Sequence, residues 1–197
     1  GRDALVVAAF DTELFGHWWY EGPLFLERVL RALPEAGIEV GTLADARARG
    51  YVGGDPVDLE DSSWGSGKDW RVWAGDQVAD LVCLNEEVVR TTLDVLDKAV
   101  ARDGGAVRLR NRVYDQMLRE ALLTVSSDWA FMVSKDTAAA YARDRAHKHA
   151  HALREIADAV ASGRDATAIR LADAWNRADN LFPGLDARRL PRPDGGL

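Results

Sequence analysis

The chain has 197 residues, of which 25 are Lys or Arg and 32 are Asp or Glu, so its formal net charge is −7. This acidic balance argues against a nucleic-acid partner, because proteins that follow phosphates usually carry a basic face. A single cysteine, Cys83, excludes a disulfide framework and a thiolate metal cage. The sequence contains neither a transmembrane-length apolar run nor a signal-peptide pattern. We therefore expect a cytoplasmic protein without a membrane partner.

The first 50 residues predict the end of an α/β domain. Residues 4–10 (ALVVAAF) and 38–43 (IEVGTL) are short apolar runs typical of buried parallel strands. Between them, Pro23 begins a stretch with helical apolar spacing that ends before Gly37. Strand, loop, helix and strand make a βα unit, with the two strands near each other in one sheet. Two strands do not form a stable parallel sheet, so residues 1–50 are predicted to need partners from outside this chain.

The remainder of the chain predicts a loop, a helical domain and a tail. Residues 51–76 are rich in Gly and Trp and lack periodicity, which is typical of a functional loop. Residues 77–182 carry apolar side chains every three or four positions and predict a bundle of helices. The first helix shows this spacing at Val89, Leu93, Leu96 and Val100. Residues 183–197 contain Pro and Gly and predict a frayed tail.

Tryptophan is unusually frequent, with seven in the chain, and its clusters indicate a ligand surface. Residues 64–73 have the pattern W-G-x-G-x-x-W-x-x-W, with Trp64 and Trp73 at its two ends. Glycines allow close backbone approach, and aromatic faces attract the polarised C–H groups that a sugar ring presents. Asp128 and Trp129 combine a carboxylate for hydroxyl groups with a second ring. The pattern therefore favours a glucan ligand.

Asp11 is the first candidate for catalysis. It directly follows the first predicted strand, where α/β barrels place their catalytic groups. A carboxyl group there can act as a general acid, and the alternative is that it caps a turn. Glu13 could form an acid and base pair with Asp11 or bond loop amides. His17 could contact a substrate hydroxyl or pack against Trp19.

The histidine-rich stretch and the cysteine are predicted to be structural. His147 and His151 are four positions apart, a spacing that can chelate a metal on a helix. No carboxylate in the pattern of a known metal site accompanies them, and Lys148 intervenes. The stretch therefore favours a solvated or packing face, and we expect neither a metal nor a cofactor. Cys83 lies in an apolar stretch and is predicted to belong to the core.

Several motifs resemble one enzyme family across nearly the whole chain. Residues 10–23 (FDTELFGHWWYEGP) closely resemble the fourth conserved region of family 57 glycoside hydrolases, and their H-W-W-x-E-G part resembles the 1,4-α-glucan branching enzyme group. Residues 63–73 are similar to the family's fifth region. Residues 126–131 (SSDWAF) and 179–183 (DNLFP) resemble the C-terminal helical domain that follows it.

The resemblance implies a retaining mechanism on α-glucan in an incomplete (β/α)7 barrel followed by a helical domain. The fold class is therefore α/β plus all-α: residues 1–50 end the barrel, 51–76 form an active-site loop and 77–182 form the helical domain. Asp11 matches the family's general acid/base. The residues that match glucan-contacting groups, or would line the same pocket, are His17, Trp19, Trp64, Trp73, Asp128 and Trp129. We expect these residues to converge on one concave surface with Asp11.

The resemblance places the nucleophilic Glu in an earlier motif, outside this chain. Retaining chemistry needs two carboxyl groups about 5–5.5 Å apart, and Asp11 with Glu13 is a poor pair for it. We therefore expect the C-terminal portion of a branching enzyme, inactive alone, whose partners are α-glucan and an N-terminal barrel portion in cis or on a separate chain. The alternatives are a non-catalytic glucan-binding or structural module, half of a split enzyme, and an amylase-like hydrolase of the same family.

Overall fold

The computed structural model describes residues 4–51, 53–102 and 110–190. The chain divides into two compact units, Gly1–Glu60 and Asp61–Leu197. Among the described residues the regular structure is helical, and no β-strand is present. None of the helices in this part of the chain has the length and hydropathy to span a membrane.

The first unit contains helix α1 (Gly22–Glu35), helix α2 (Leu43–Ala48) and a 3-10 turn. Helix α1 has proline in its first turn, which confirms the helix predicted from Pro23. Helix α2 begins with a capping box in which the Thr42 side chain accepts a hydrogen bond from the Asp45 amide at 3.2 Å. The Asp45 side chain accepts one from the Thr42 amide at 2.8 Å.

The two predicted strands are wrong for the described residues. Residues 4–10 and 38–42 form no strand, and Leu43 already belongs to α2. A strand requires a hydrogen-bonded neighbour, and these runs pair with nothing here; Val6 is 87% exposed and Ile38 is 53% exposed. The incomplete barrel therefore stays a prediction.

The second unit is mostly helical, as predicted for residues 77–182, although its first α-helix lies within the predicted loop 51–76. Its helices are α3 (Arg71–Ala74), α4 (Ala79–Arg102), α5 (Arg112–Thr124), α6 (Ser127–Ser134), α7 (Ala139–Ala161) and α8 (Asp165–Ala178). Helix α7 is central, because it packs against α4, α5, α6 and α8. The predicted stop of α4 at Gly104 and Gly105 lies outside the described residues.

The buried face of α4 agrees with the predicted one at Leu96 but not at Val89. Its buried residues are Leu81, Leu84, Val88, Thr92, Leu96 and Ala99. Val89 is 45% exposed, and Cys83 is also exposed, so its assignment to the core was wrong. Two adjacent valines, Val88 and Val89, make the buried face ambiguous in the sequence. Thr92 is polar and therefore does not look like a core residue, but its hydroxyl group is satisfied within the helix because it donates to the Val88 carbonyl at 2.8 Å.

Residues 183–190 pack on the bundle, so the frayed-tail prediction is wrong for this part of 183–197. The Arg110 guanidinium donates to the Leu185 carbonyl at 2.5 Å, and the Ala187 amide donates to Asp115 Oδ1 at 2.8 Å. Ala187 is buried against the core. Residues 191–197 lie outside the described residues.

Two ion pairs between α4 and α7 predict a loss of stability in acid. Arg143 bonds Asp80 at 2.7 Å and Arg154 bonds Glu87 at 2.6 Å. These hydrogen bonds lower the pKa of Asp80 and Glu87 below their ordinary values of 3.8 and 4.5. Carboxylates with lowered pKa stabilise the fold above their unfolded pKa, and this contribution disappears as the pH falls through the folded pKa.

We therefore expect the urea midpoint of the chain to fall as the pH drops below about 4.5. The matched control is the variant Asp80→Asn with Glu87→Gln. Its urea midpoint should be slightly lower at neutral pH and should fall by a smaller amount in acid. An identical pH dependence in the variant and the parent would contradict this role for the two pairs.

Candidate functional site

Asp11 is presented at the surface of the first unit. It precedes the 3-10 turn Thr12–Leu14, and its main-chain carbonyl accepts a hydrogen bond from the Leu14 amide at 3.1 Å. Its exposed side chain makes no capping hydrogen bond to that turn. The turn-capping alternative for this carboxyl group is therefore not observed, and the group is free to meet a ligand.

His17 and Trp19 have different surroundings in the same unit. The exposed His17 ring lies edge-on to Trp18, with the ring centroids 4.9 Å apart. The Trp19 ring is half-buried between Phe15, at 6.0 Å, and Phe25, at 4.6 Å. Trp19 is thus fixed by packing, while His17 keeps a solvent-facing ring.

An aromatic surface of Trp64, Trp73 and Phe131 lies in the second unit. The Trp64 ring centroid is 5.8 Å from that of Trp73 and 5.6 Å from that of Phe131. Trp64 is 52% exposed, and the Lys135 ammonium nitrogen is 5.8 Å from its ring centroid. The surface combines a half-exposed ring with a cationic donor, which suits the C–H face and the hydroxyl groups of a sugar.

Close backbone packing fixes this aromatic surface. Gly65 has φ 113°, and a Cβ added there would lie 2.5 Å from Val72 Cγ2, so a larger residue does not fit. The Trp73 indole N–H donates to the Trp64 carbonyl at 3.2 Å. The Ser134 hydroxyl lies 2.7 Å from the Val72 carbonyl and so ties α6 to α3. These contacts hold the two tryptophans relative to α6.

Asp128 and Trp129 lie in the first turn of α6 and differ in exposure. Asp128 is exposed and accepts a hydrogen bond from the Ser126 hydroxyl at 2.9 Å. It is three residues before Phe131, so the two share a helix face. Trp129 is half-buried, and its indole N–H donates to the Leu123 carbonyl at 2.8 Å. Asp128 thus shares a helix face with Phe131, while the Trp129 N–H is engaged by the Leu123 carbonyl.

The predicted site residues are distributed between the two units. Asp11, His17 and Trp19 belong to the first unit, and the aromatic surface with Asp128 belongs to the second. The convergence of both sets on one concave surface stays a prediction.

Phe131 and Lys135 were missed as site residues by sequence reasoning. Phe131 belongs to the SSDWAF motif, and its position three residues after Asp128 in a helix was the available signal. Lys135 follows Phe131 by four residues, which places it on the same face, but only the position of Trp64 shows that it lies over a ring.

One buried cluster, Glu120, His149 and Asp179, brings possible metal ligands together. Their ligand atoms lie within 4.8 Å of one another. Arg145 lies 3.0 Å from His149 Nε2, and a guanidinium can only donate, so His149 Nδ1 carries the proton and donates to Glu120 Oε2 at 2.8 Å. A cation at Nδ1 would require the other tautomer and displacement of Arg145. The geometry therefore favours hydrogen bonds that join Arg145, His149 and Glu120, whereas Asp179 Oδ2 is buried without a hydrogen-bond partner among the described residues.

The other histidines of this stretch face solvent. His147 and His151 are exposed, whereas His149 is 1% exposed. The helix thus has both a solvated face and a packing face, in agreement with the interpretation drawn from its sequence.

Comparison with known proteins gives one family match. The family described as 1,4-alpha-glucan branching enzyme, C-terminal, matches residues 86–189. A probable 1,4-alpha-glucan branching enzyme of Mycobacterium tuberculosis is 68% identical over 196 residues. The match covers 98% of this chain and 37% of that protein, so the chain spans little more than a third of its relative.

Two solved structures share the fold. A GH57 branching enzyme from Thermococcus kodakaraensis, in complex with glucose and additives, has a TM-score of 0.72 and 29% identity. The alignment covers 92% of this chain and 33% of that one. The alpha-amylase AmyC from Thermotoga maritima has a TM-score of 0.57 and 29% identity, over 93% of this chain and 32% of that one.

Proposed function

The chain belongs to the family of 1,4-alpha-glucan branching enzyme C-terminal domains, and on that premise we propose that it is the C-terminal portion of a retaining branching enzyme that converts α-1,4 into α-1,6 linkages. The observation that carries the proposal is the aromatic surface of Trp64, Trp73 and Phe131, and the exposed Asp128 lies three residues before Phe131 in the same helix. A glucan chain would stack on the exposed part of the Trp64 ring and direct its hydroxyl groups to Asp128 and Lys135.

Asp11 is the general acid/base of the proposed reaction. It protonates the leaving glycosidic oxygen, and it later removes the proton from the attacking 6-hydroxyl of the acceptor. Its carboxyl group is exposed and is not engaged by the adjacent turn, as this role requires. The nucleophile that holds the glucan between these steps comes from the N-terminal barrel portion, and His17 and Trp19 line the same pocket.

The aromatic surface and the helical domain keep water away from the glycosyl intermediate, so that transfer exceeds hydrolysis. A cytoplasmic location and a role in glycogen biosynthesis are part of the same proposal.

Trp64→Ala tests the aromatic surface in a protein that joins this chain to the N-terminal portion of a branching enzyme. We expect the KM for amylose to rise by about tenfold, because stacking on an aromatic ring contributes about 0.5–1.5 kcal/mol beyond area burial. We also expect a larger share of the intermediate to be hydrolysed. The measurement compares α-1,6 linkages formed with reducing ends released.

Tyr20→Ala is the matched control, because Tyr20 is 90% exposed and occupies the x position of H-W-W-x-E-G. This substitution should leave both the KM for amylose and the hydrolysed share of the intermediate unchanged. Equal effects of the two substitutions would contradict the assignment of glucan binding to Trp64.

An amylase-like hydrolase is the second candidate function, favoured by the shared fold of the Thermotoga alpha-amylase. It predicts that reducing ends are released without formation of α-1,6 linkages. A non-catalytic module predicts glucan binding with neither product.

A further inference from the structure

A polar cavity lies between α5, α8 and the segment after α8, away from the aromatic surface. Its volume is about 260 Å³. Its lining includes Arg112, Ala172, Asp173, Asn176, Asn180 and Pro183. The aromatic surface is built by α3, α6 and the segment before α3 that carries Trp64, and these helices pack against other parts of the unit. The cavity therefore belongs to a different part of the helical domain.

The segment after α8 forms one wall of the cavity, and hydrogen bonds from buried side chains of α5 fix its position. Arg119, which is 4% exposed, donates to the Leu181 carbonyl and, at 3.2 Å, to the Phe182 carbonyl. Gln116, which is 1% exposed, donates to the Asp179 carbonyl at 3.2 Å. The segment that carries Asn180 is therefore held in one position, and the cavity is preformed.

Several polar groups of the cavity keep free hydrogen-bonding capacity within the described part of the chain. The Arg112 Nε lies 3.2 Å from Asp173 Oδ1, and the two side chains are 65% and 43% exposed, so both charged groups stay accessible to a ligand. Asn176 donates to Gln116 Oε1 at 3.0 Å and keeps its own carbonyl oxygen. The Asn180 amide has no protein partner among the described residues.

The free groups define the chemistry of the ligand. They include both donors and acceptors, and the charged ones have both signs, which opposes a simple anion or cation. Only Ala172 and Pro183 are apolar, which opposes a hydrophobic ligand. A neutral ligand with many hydroxyl groups satisfies donors and acceptors together. The volume is slightly below the range of about 300–1,000 Å³ for drug-sized ligands, so it suits about one sugar ring.

We propose that this cavity is a second carbohydrate site, which binds a single sugar unit of a glucan chain through Arg112, Asp173, Asn176 and Asn180. The substrate class rests on the proposed function. The site would hold a distant part of a long glucan and thereby raise the local concentration of chain near the aromatic surface.

The test is a titration of the isotopically labelled 197-residue chain with maltotriose, followed by NMR. We expect shifts of the Asn176 and Asn180 side-chain amides at millimolar sugar. The combined substitution Asp173→Ala with Asn180→Ala should weaken binding at the remaining Asn176 reporter by about fivefold to tenfold, because two hydrogen-bonding groups are lost. Asn180→Ala alone removes a side chain without a described partner, so it retains the fold and should weaken binding by a smaller factor.

Controls separate the possible results. Asp94→Asn removes one exposed carboxylate from α4 and should leave the affinity unchanged. Inorganic phosphate at the same concentration should produce no shift of these amides, and a phosphate response stronger than that to maltotriose would overturn the sugar assignment. The absence of any maltotriose shift at these amides would overturn the site.

Trp64→Ala distinguishes this inference from the proposed function. It should leave the shifts at the cavity unchanged, because the two surfaces lie on different helices. If the sugar moves signals of the aromatic surface alone, the second site fails while the proposed function stands.

Discussion

Asp11→Asn is expected to lower the turnover of a branching enzyme containing this chain by a factor of about 10²–10⁴. The amide cannot donate a proton to the leaving oxygen or accept one from the acceptor hydroxyl. The KM for glucan should change much less, because a general acid/base acts mainly in the transition state. The measurement is the rate of α-1,6 linkage formation at saturating and at low amylose.

Glu13→Gln is the matched control, since Glu13 is an exposed carboxylate of the same turn. Its effect on turnover should be smaller than about tenfold. The isolated 197-residue chain should form no branches, because the resemblance places the nucleophile elsewhere. Branching by the isolated chain would mean that a residue within it is the nucleophile, and Glu13 would be the first candidate.

Glu120→Ala is expected to destabilise the helical domain by about 3–5 kcal/mol. Glu120 is completely buried and accepts hydrogen bonds from Gln116, at 2.6 Å, and from His149, at 2.8 Å. Its loss leaves the His149 donor unpaired and leaves the charge of Arg145 less compensated. The measurement is urea unfolding at pH 7, followed by circular dichroism at helical wavelengths.

Glu86→Ala provides the comparison for this prediction. Glu86 pairs with Arg90 on α4, and both side chains are 67% exposed, so its removal should cost about 0–1 kcal/mol. The double variant Glu120→Leu with His149→Leu should be less destabilised than Glu120→Ala, because both polar partners are replaced together. A similar loss for Glu86→Ala and Glu120→Ala would contradict the role of the buried network.

The helical domain was predictable from sequence because its signals are local. Periodic apolar residues determine where α4, α5, α7 and α8 form, and Pro23 similarly marks the start of α1. The predicted face of α4 is wrong at Val89 but correct at Leu96; the error arises because Val88 and Val89 are adjacent and because Thr92, a polar residue, is buried. Choosing between these faces requires the position of α7, which no local pattern contains.

The prediction of two strands is wrong for a different reason. An apolar run such as residues 4–10 indicates a tendency to form a β-strand, but a strand exists only when another segment supplies hydrogen bonds. The helix start at Thr42 was available in the sequence, since Thr42 and Asp45 form a capping pair three positions apart.

The candidate site could be predicted in part. Trp64 and Trp73 were identified from spacing and resemblance, and the structure brings their rings together. Phe131 and Lys135 join them through the packing of α6 on α3, a contact between segments about 60 positions apart. The buried partnership of Glu120 with His149 likewise depends on two helices meeting, so the histidine spacing alone could not reveal it.

The exposed apolar side chains of the first unit also bear on the colloidal behaviour of the protein. Val6, Phe10, Trp18 and Ile38 are each more than half exposed, and Gly22 is the one buried residue among the described residues 4–51 and 53–60. Uncovered apolar area of this kind promotes self-association in water. The net charge of −7 opposes that association through mutual repulsion, which salt screens. The solubility of the chain therefore depends on ionic strength and on whatever covers this surface.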